Sequence, residues 1–188
     1  MRICTRPDDV PPLVGPRHEE LYQTPLGVGR LLLAGDLPLE HDLPDPGRPL
    51  PPPAAPAGHW ATALRRYFAG EPVRFDLDVP AYARAHGLTA FETAVYAALT
   101  RVPWGSALSY RDLAAAAGHP NAYRAVGSVM ARNELPVIIP CHRVVKNDGR
   151  LGSYGDDPAW KARLLELEGV AVDRDPLDPT RSRLRRPA

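Results

Sequence analysis

Between residues 36 and 58 the chain carries eight of its 23 prolines, including the run Pro51-Pro52-Pro53. Proline lacks a backbone N–H and fixes φ, so it interrupts helices and withholds donors from a β-ladder. This stretch is therefore expected to be loop or sheet edge. Before it, Thr24-Pro25-Leu26-Gly27 reads as a turn entering a strand over 28–33, and residues 1–20 read as a loosely ordered lead-in. After it, Trp60, Leu64, Tyr67 and Phe68 recur at helical spacing up to Gly70, predicting a helix over 59–68. Val73, Phe75, Leu77 and Val79 alternate with polar residues, which predicts a strand with one buried face, followed by a linker over 80–88.

The remainder reads as mainly helical. Thr89 offers an N-cap with Glu92 three residues on, and Phe91, Val95, Ala98 and Leu99 form an apolar stripe. Ser109 caps a short helix over 110–117 closed by Gly118, and a further helix is expected over 121–133. Two helices joined by a tight glycine-containing turn fit a helix-turn-helix, although many helical hairpins share that spacing. The expected architecture is a small α/β N-terminal domain (1–85), a mainly α domain (86–172) and a basic tail (173–188), frayed and solvated.

The longest apolar runs fall short of the ~18 residues of a membrane span, and the N-terminus lacks the apolar core of a signal peptide. A soluble, cytoplasmic protein with no membrane association is expected. Its two cysteines, Cys4 and Cys141, are then expected to be reduced, and two cysteines cannot build a four-Cys zinc site. A net charge of +1 excludes a generic polyanion binder. Charge is unevenly distributed: residues 1–100 balance at −3 and residues 101–150 at +4, so a nucleic-acid contact belongs to the middle segment.

That segment contains Pro140-Cys141-His142-Arg143-Val144-Val145, flanked by apolar residues on both sides. Extended or strand-like backbone there places the polar groups at the floor of a pocket. A lone cysteine is usually a small buried hydrophobe, whereas one beside histidine and arginine has neighbours that stabilise a thiolate. The residues alone leave both readings open.

The segment resembles the active-site signature of the O6-alkylguanine-DNA alkyltransferase family. The resemblance continues in register through Phe91 to Val95, Val102-Pro103-Trp104-Gly105, Ser109-Tyr110 with Leu113-Ala114, Arg124-Ala125-Val126-Gly127, Asn133 eight positions before Cys141, Tyr154, and Leu164-Leu165-Glu166-Leu167-Glu168-Gly169. It covers roughly residues 89–170 and implies a winged-helix-like helix-turn-helix domain. It also implies one-time transfer of an alkyl group from O6 of guanine in double-stranded DNA to Cys141, without a cofactor, by a monomer. O4-alkylthymine is a second candidate substrate.

The resemblance further implies roles. Cys141 is the nucleophile, His142 its base through a water, and Glu168 the group that orients His142. Tyr110 donates to a ring nitrogen of the leaving guanine. The base must leave the stack to react, and Arg124 fills the gap from the minor groove, with Ala125, Gly127 and Ser128 permitting close approach. Ser109 and Tyr110 also face DNA. Asn133 supports the backbone around Cys141, and Pro140, Arg143, Tyr154 and Gly155 shape the pocket.

Two departures stand out. Asp156 and Asp157 follow Gly155 where the family more often has small residues, and carboxylates are unfavourable near DNA. Some members bind zinc in the N-terminal domain through two cysteines and two histidines. Here Cys4 with His18, His41 and His59 is a poor tetrahedral set, so no metal is expected. A non-reacting lesion-binding relative would not keep Cys141. A transcription factor would not need Cys141, His142 and Glu168 together, and an unrelated Cys–His hydrolase would not explain Ser109-Tyr110 or residues 124–127.

Overall fold

The computed structural model describes residues 15–49 and 57–185. Cys4, Pro51-Pro52-Pro53 and Arg186 lie outside them. The chain opens with a three-stranded antiparallel sheet in the order β1 (Arg17–Thr24), β2 (Gly27–Ala34) and β3 (Leu37–Asp45). β1 begins inside the stretch expected to be lead-in. The proline-rich region supplies β3 as an edge strand, paired with β2 across register shifts, one of them beside Pro38. Thr24 Oγ1 accepts from Leu26 N and donates to the Gly27 carbonyl, which closes the first turn around Gly27 at φ +122°.

Tyr22 faces Gly29 across the β1–β2 ladder, and a β-carbon at Gly29 would fall 2.2 Å from Tyr22 Cζ. The glycine therefore lets the tyrosine ring lie flat over β2, where it also stacks on Phe68 with centroids 6.3 Å apart.

α1 (His59–Phe68) packs Trp60, Leu64, Tyr67 and Phe68 inward. Residues 71–78 then run without a strand partner among the described residues, so the expected strand is not seen there. Their alternation is nevertheless real: Val73, Phe75 and Leu77 pack on the core, and Phe75 lies 6.4 Å from Trp60 and 6.0 Å from Tyr67, centroid to centroid. The strap satisfies its one buried side against a helix rather than in a sheet. The expected linker is instead α2 (Val79–Ala85), started by Asp78, whose side chain accepts from Ala81 N, and by a proline in the first turn.

α3 (Ala90–Leu99) begins with a capping box between Thr89 and Glu92. A second box, Ser109 with Asp112, opens α4 (Tyr110–Ala116), and a turn through Gly118 leads to α5 (Tyr123–Ala131). β4 (Leu108–Ser109) pairs in parallel with β5 (Val144–Val145), and α6 (Ala159–Leu167) follows. One buried cluster runs from Tyr22, Leu31 and Leu64 through Leu99, Leu113 and Ile138 to Cys141 and Leu164, so residues on both sides of position 85 share a core.

The tail is not frayed through Arg185. β6 (Val172–Asp173) pairs with β7 (Arg183–Leu184), and Leu151 N and Gly152 N donate to the carbonyls of Ser182 and Thr180. Ser182 is buried, and its hydroxyl accepts from Asp175 N. Among the described residues, no helix is long and apolar enough to cross a membrane.

Candidate active site

Cys141, His142 and Arg143 form one 3-10 turn between Pro140 and β5, and all three are buried. The parallel β4–β5 pair ties this turn to the start of α4, which puts Tyr110 and Cys141 on the wall of the same groove. That groove has a volume of about 1980 Å³ and is also lined by Arg124, Gly127, Asn133, Pro136, Tyr154 and Gly155.

The thiol has two neighbours. Asn133 Nδ2 donates to Cys141 Sγ at 3.0 Å and to the Ile139 carbonyl at 2.9 Å, and Sγ lies 3.7 Å from the Tyr154 hydroxyl. Burial pushes the Cys141 thiol up, against the downward pull of Asn133 and Tyr154. The resting thiol is thus neutral.

His142 is fully buried. Its Nε2 donates to Glu168 Oε1 at 2.7 Å, while its Nδ1 has no hydrogen-bond partner among the described residues. The carboxylate thereby fixes the tautomer with its basic lone pair on Nδ1. Burial lowers the His142 pKa, outweighing the opposite pull of Glu168, so the imidazole is neutral and able to accept a proton.

Glu168 caps the C-terminal end of α6 and collects donors from distant segments. Arg143 Nε donates at 2.9 Å and Nη2 at 2.8 Å, the Tyr67 hydroxyl at 2.7 Å and Gly105 N at 3.2 Å. Arg143 Nη1 reaches the Val102 carbonyl at 2.5 Å. Burial alone would raise the Glu168 carboxyl, but hydrogen bonds from His142 and Arg143 outweigh it and hold it at about 2. It is an anion whose charge the Arg143 guanidinium balances.

Tyr110 is half-buried, and burial first, then Cys141, raises its phenol. It keeps its proton and can donate. Arg124 and Ala125 are exposed on α5, and a β-carbon at Gly127 would meet nothing within 4 Å. The smallness of Gly127 therefore serves no packing among the described residues. Ala125 and Ser109 do not line the groove. The Ser109 hydroxyl is engaged with Asp112 in the helix cap, at 2.7 Å to Oδ2. Gly155 stands on the groove rim at φ +47° with Asp156 and Asp157. Asp157 Oδ1 accepts from Ala159 N at 2.9 Å, which accounts for an acid at the opening of α6.

His18 lies 3.7 Å from Glu20 and His59 3.2 Å from Asp36, while His41 has both ring nitrogens engaged by protein atoms. No group of three or more metal-ligating side chains gathers among the described residues.

Residues 90–170 match the family model for the DNA-binding domain of 6-O-methylguanine DNA methyltransferase. Over 156 residues the chain is 36% identical to the methylated-DNA–protein-cysteine methyltransferase of Mycobacterium bovis, covering 79% of this chain and 91% of that one. The chain belongs to the methylated-DNA–protein-cysteine methyltransferase family. A constitutive member from Bacillus subtilis is 43% identical over 109 residues, which is 57% of this chain and 63% of the relative, so that match spans just under two thirds of the Bacillus protein. A crystal structure of Mycobacterium tuberculosis OGT in complex with DNA aligns with a TM-score of 0.64 at 32% identity, covering 81% of this chain and 93% of that one.

Three residues of this methyltransferase-family site escape sequence reasoning. Tyr67 reads as one more apolar position of α1, yet its hydroxyl is buried on Glu168. Gly105 enters the sequence reading only as the end of the Val102–Gly105 motif, yet its N–H is a Glu168 donor. Lys161 is buried in the groove wall, donates to the Leu151 carbonyl at 2.7 Å and lies 5.9 Å from the Tyr110 ring centroid. Burial lowers its pKa to about 8. The available signal was a lysine directly beside Ala162, Leu164 and Leu165, which are all buried.

Proposed function

We propose that this protein repairs DNA by moving an alkyl group from O6 of guanine onto its own Cys141, once per molecule. The observation that carries the reading is a neutral thiol on a groove wall, adjacent in sequence to a buried imidazole whose Nε2 is held by Glu168 and whose Nδ1 is left as a base. A water passes the thiol proton to His142 Nδ1. The sulfur–carbon bond forms as the carbon–O6 bond breaks, and the electron pair stays on the guanine. Tyr110 donates a hydrogen bond to a ring nitrogen of that leaving group. The product thioether has no neighbouring group able to remove the alkyl, so the reaction is stoichiometric.

The substrate is O6-alkylguanine in duplex DNA, with O4-alkylthymine a second candidate. Helices α4 and α5 act as a helix-turn-helix on the minor groove, in a protein that works as a monomer inside the cell. Arg124, exposed on the groove rim beside a glycine with open space, fills the stack after the base rotates out. Extrusion costs a few kcal/mol from an intact duplex, so Arg124→Ala should slow transfer from duplex DNA more than transfer from free O6-benzylguanine. Equal losses would remove the intercalating role. The whole reading is tested by peptide mass spectrometry after incubation with duplex containing O6-methylguanine. A methyl mass gain on the Cys141 peptide, absent in Cys141→Ala, is expected, and no gain in the unsubstituted protein would overturn it.

A further inference from the structure

We propose that His41, in the N-terminal sheet, is a positioning residue for Cys141 chemistry. It clamps the turn that carries Asn133 and the Pro136 wall of the groove. The inference rests on the alkyl-transfer reading above and names a residue outside the segment that carries the thiol.

The turn over 133–141 is folded against its own preference. Val137 sits at φ +76°, a left-handed conformation that a β-branched residue adopts only when its surroundings impose it. Inside the turn, Asn133 Oδ1 accepts from Leu135 N and Ile139 N donates to the Leu135 carbonyl. The outside anchor is β3. His41 N donates to the Glu134 carbonyl at 2.8 Å, and His41 Nδ1–H donates to the Pro136 carbonyl at 2.6 Å. The tautomer this requires leaves Nε2 as an acceptor, and the Tyr22 hydroxyl donates to it at 2.5 Å.

His41 is thus fully satisfied as a neutral ring, and burial keeps it neutral by lowering its pKa to about 4. Two bonds from one residue of the sheet bracket Val137 on its N-terminal side, and Asn133, one residue before Glu134, donates to Sγ. Loss of the His41 contact would let Val137 relax to negative φ. Pro136 would then withdraw from the groove wall, and the Asn133 donor that favours the thiolate would be displaced.

The test compares His41→Asn, whose Nδ2 stands where Nδ1 stood, with His41→Leu and with His41→Gln, whose amide extends toward the Nε2 position. The first readout is the rate of Cys141 modification by iodoacetamide across pH. It needs no substrate, so it separates failure of this inference from failure of the alkyl-transfer reading. The profile should move to higher pH in His41→Leu and His41→Gln and return toward the original in His41→Asn. The second readout is single-turnover transfer from O6-benzylguanine. It should fall tenfold or more in His41→Leu and His41→Gln and recover within about threefold in His41→Asn, while affinity for undamaged duplex changes less than twofold. Should His41→Leu fail to fold, the Asn–Gln pair decides. Superimposable pH profiles and equal transfer rates for those two variants would overturn the proposal.

Discussion

Two regions of this molecule gather an arginine and carboxylates, and they do so for different ends. On the sheet, Arg30 lies 2.7 Å from Glu19, 3.4 Å from Glu40 and 3.5 Å from Asp42, and Arg48 lies 3.0 Å from Asp42, with these carboxylates well exposed. Below the groove, Arg143 lies 2.8 Å from Glu168, and both side chains are withdrawn from water. The exposed group can exchange partners with solvent, and each pair is worth little. The buried group carries a desolvation penalty that only complete hydrogen bonding offsets. Around Glu168 the neutral side chains of Tyr67 and His142 both donate toward the carboxylate.

The comparison can be broken at several points. The largest effect is expected for His142→Ala, where loss of a positioned base should slow single-turnover transfer by about 10²–10⁴-fold, while no exposed sheet residue moves that rate. An unchanged rate would show that the buried group is structural only. Next, Arg143→Met leaves Glu168 as a buried charge without its counter-ion. Urea unfolding should show a loss of roughly 3–5 kcal/mol, and a loss below about 1 kcal/mol would place the two clusters in one class.

A third test uses pH. Glu168 titrates near 2 in the folded state, below the ordinary glutamate value. Its contribution is therefore fully present above about pH 4.5 and is lost as pH falls toward 2, a loss of up to roughly 3 kcal/mol. Glu168→Gln should flatten that acid limb in unfolding experiments at pH 5 and pH 2.5, and parallel curves would contradict the assignment. The smallest effect belongs to Arg30→Ala, with an expected change under about 1 kcal/mol that shrinks further in high salt. A larger, salt-insensitive loss would mean that the sheet cluster behaves as if buried.

Much of this was legible because the signals were local. Thr89 with Glu92 and Ser109 with Asp112 announce their helices within one turn of chain, and both boxes form. Residues 140–145 stand out by composition, a cysteine beside histidine and arginine between apolar runs, and Glu168 by the resemblance that continues in register to residue 169. The illegible parts share one cause: their partners lie far away in sequence. Alternation at Val73, Phe75 and Leu77 reports a buried side but not whether a strand or a helix supplies it. Asp78 with Pro80 is the exception, a local start signal split between the end of the expected strand and the beginning of the expected linker. The arginine-rich tail reads as solvated, yet backbone bonds to residues 149–152 hold it down. Nothing near His41 in the chain points to Pro136, 95 positions on.

The flat lie of Tyr22 over Gly29 has a consequence for heredity. Gly29 admits the ring, the ring's hydroxyl meets His41, and His41 meets Pro136. A lineage that gains a side chain at position 29 displaces the tyrosine and loses the reason to keep a histidine at 41. The four positions should therefore change together or not at all among relatives, although three of them sit in a sheet that holds no reacting group. Alignments in which position 29 varies freely while positions 22 and 41 stay tyrosine and histidine would show that descent treats them as strangers.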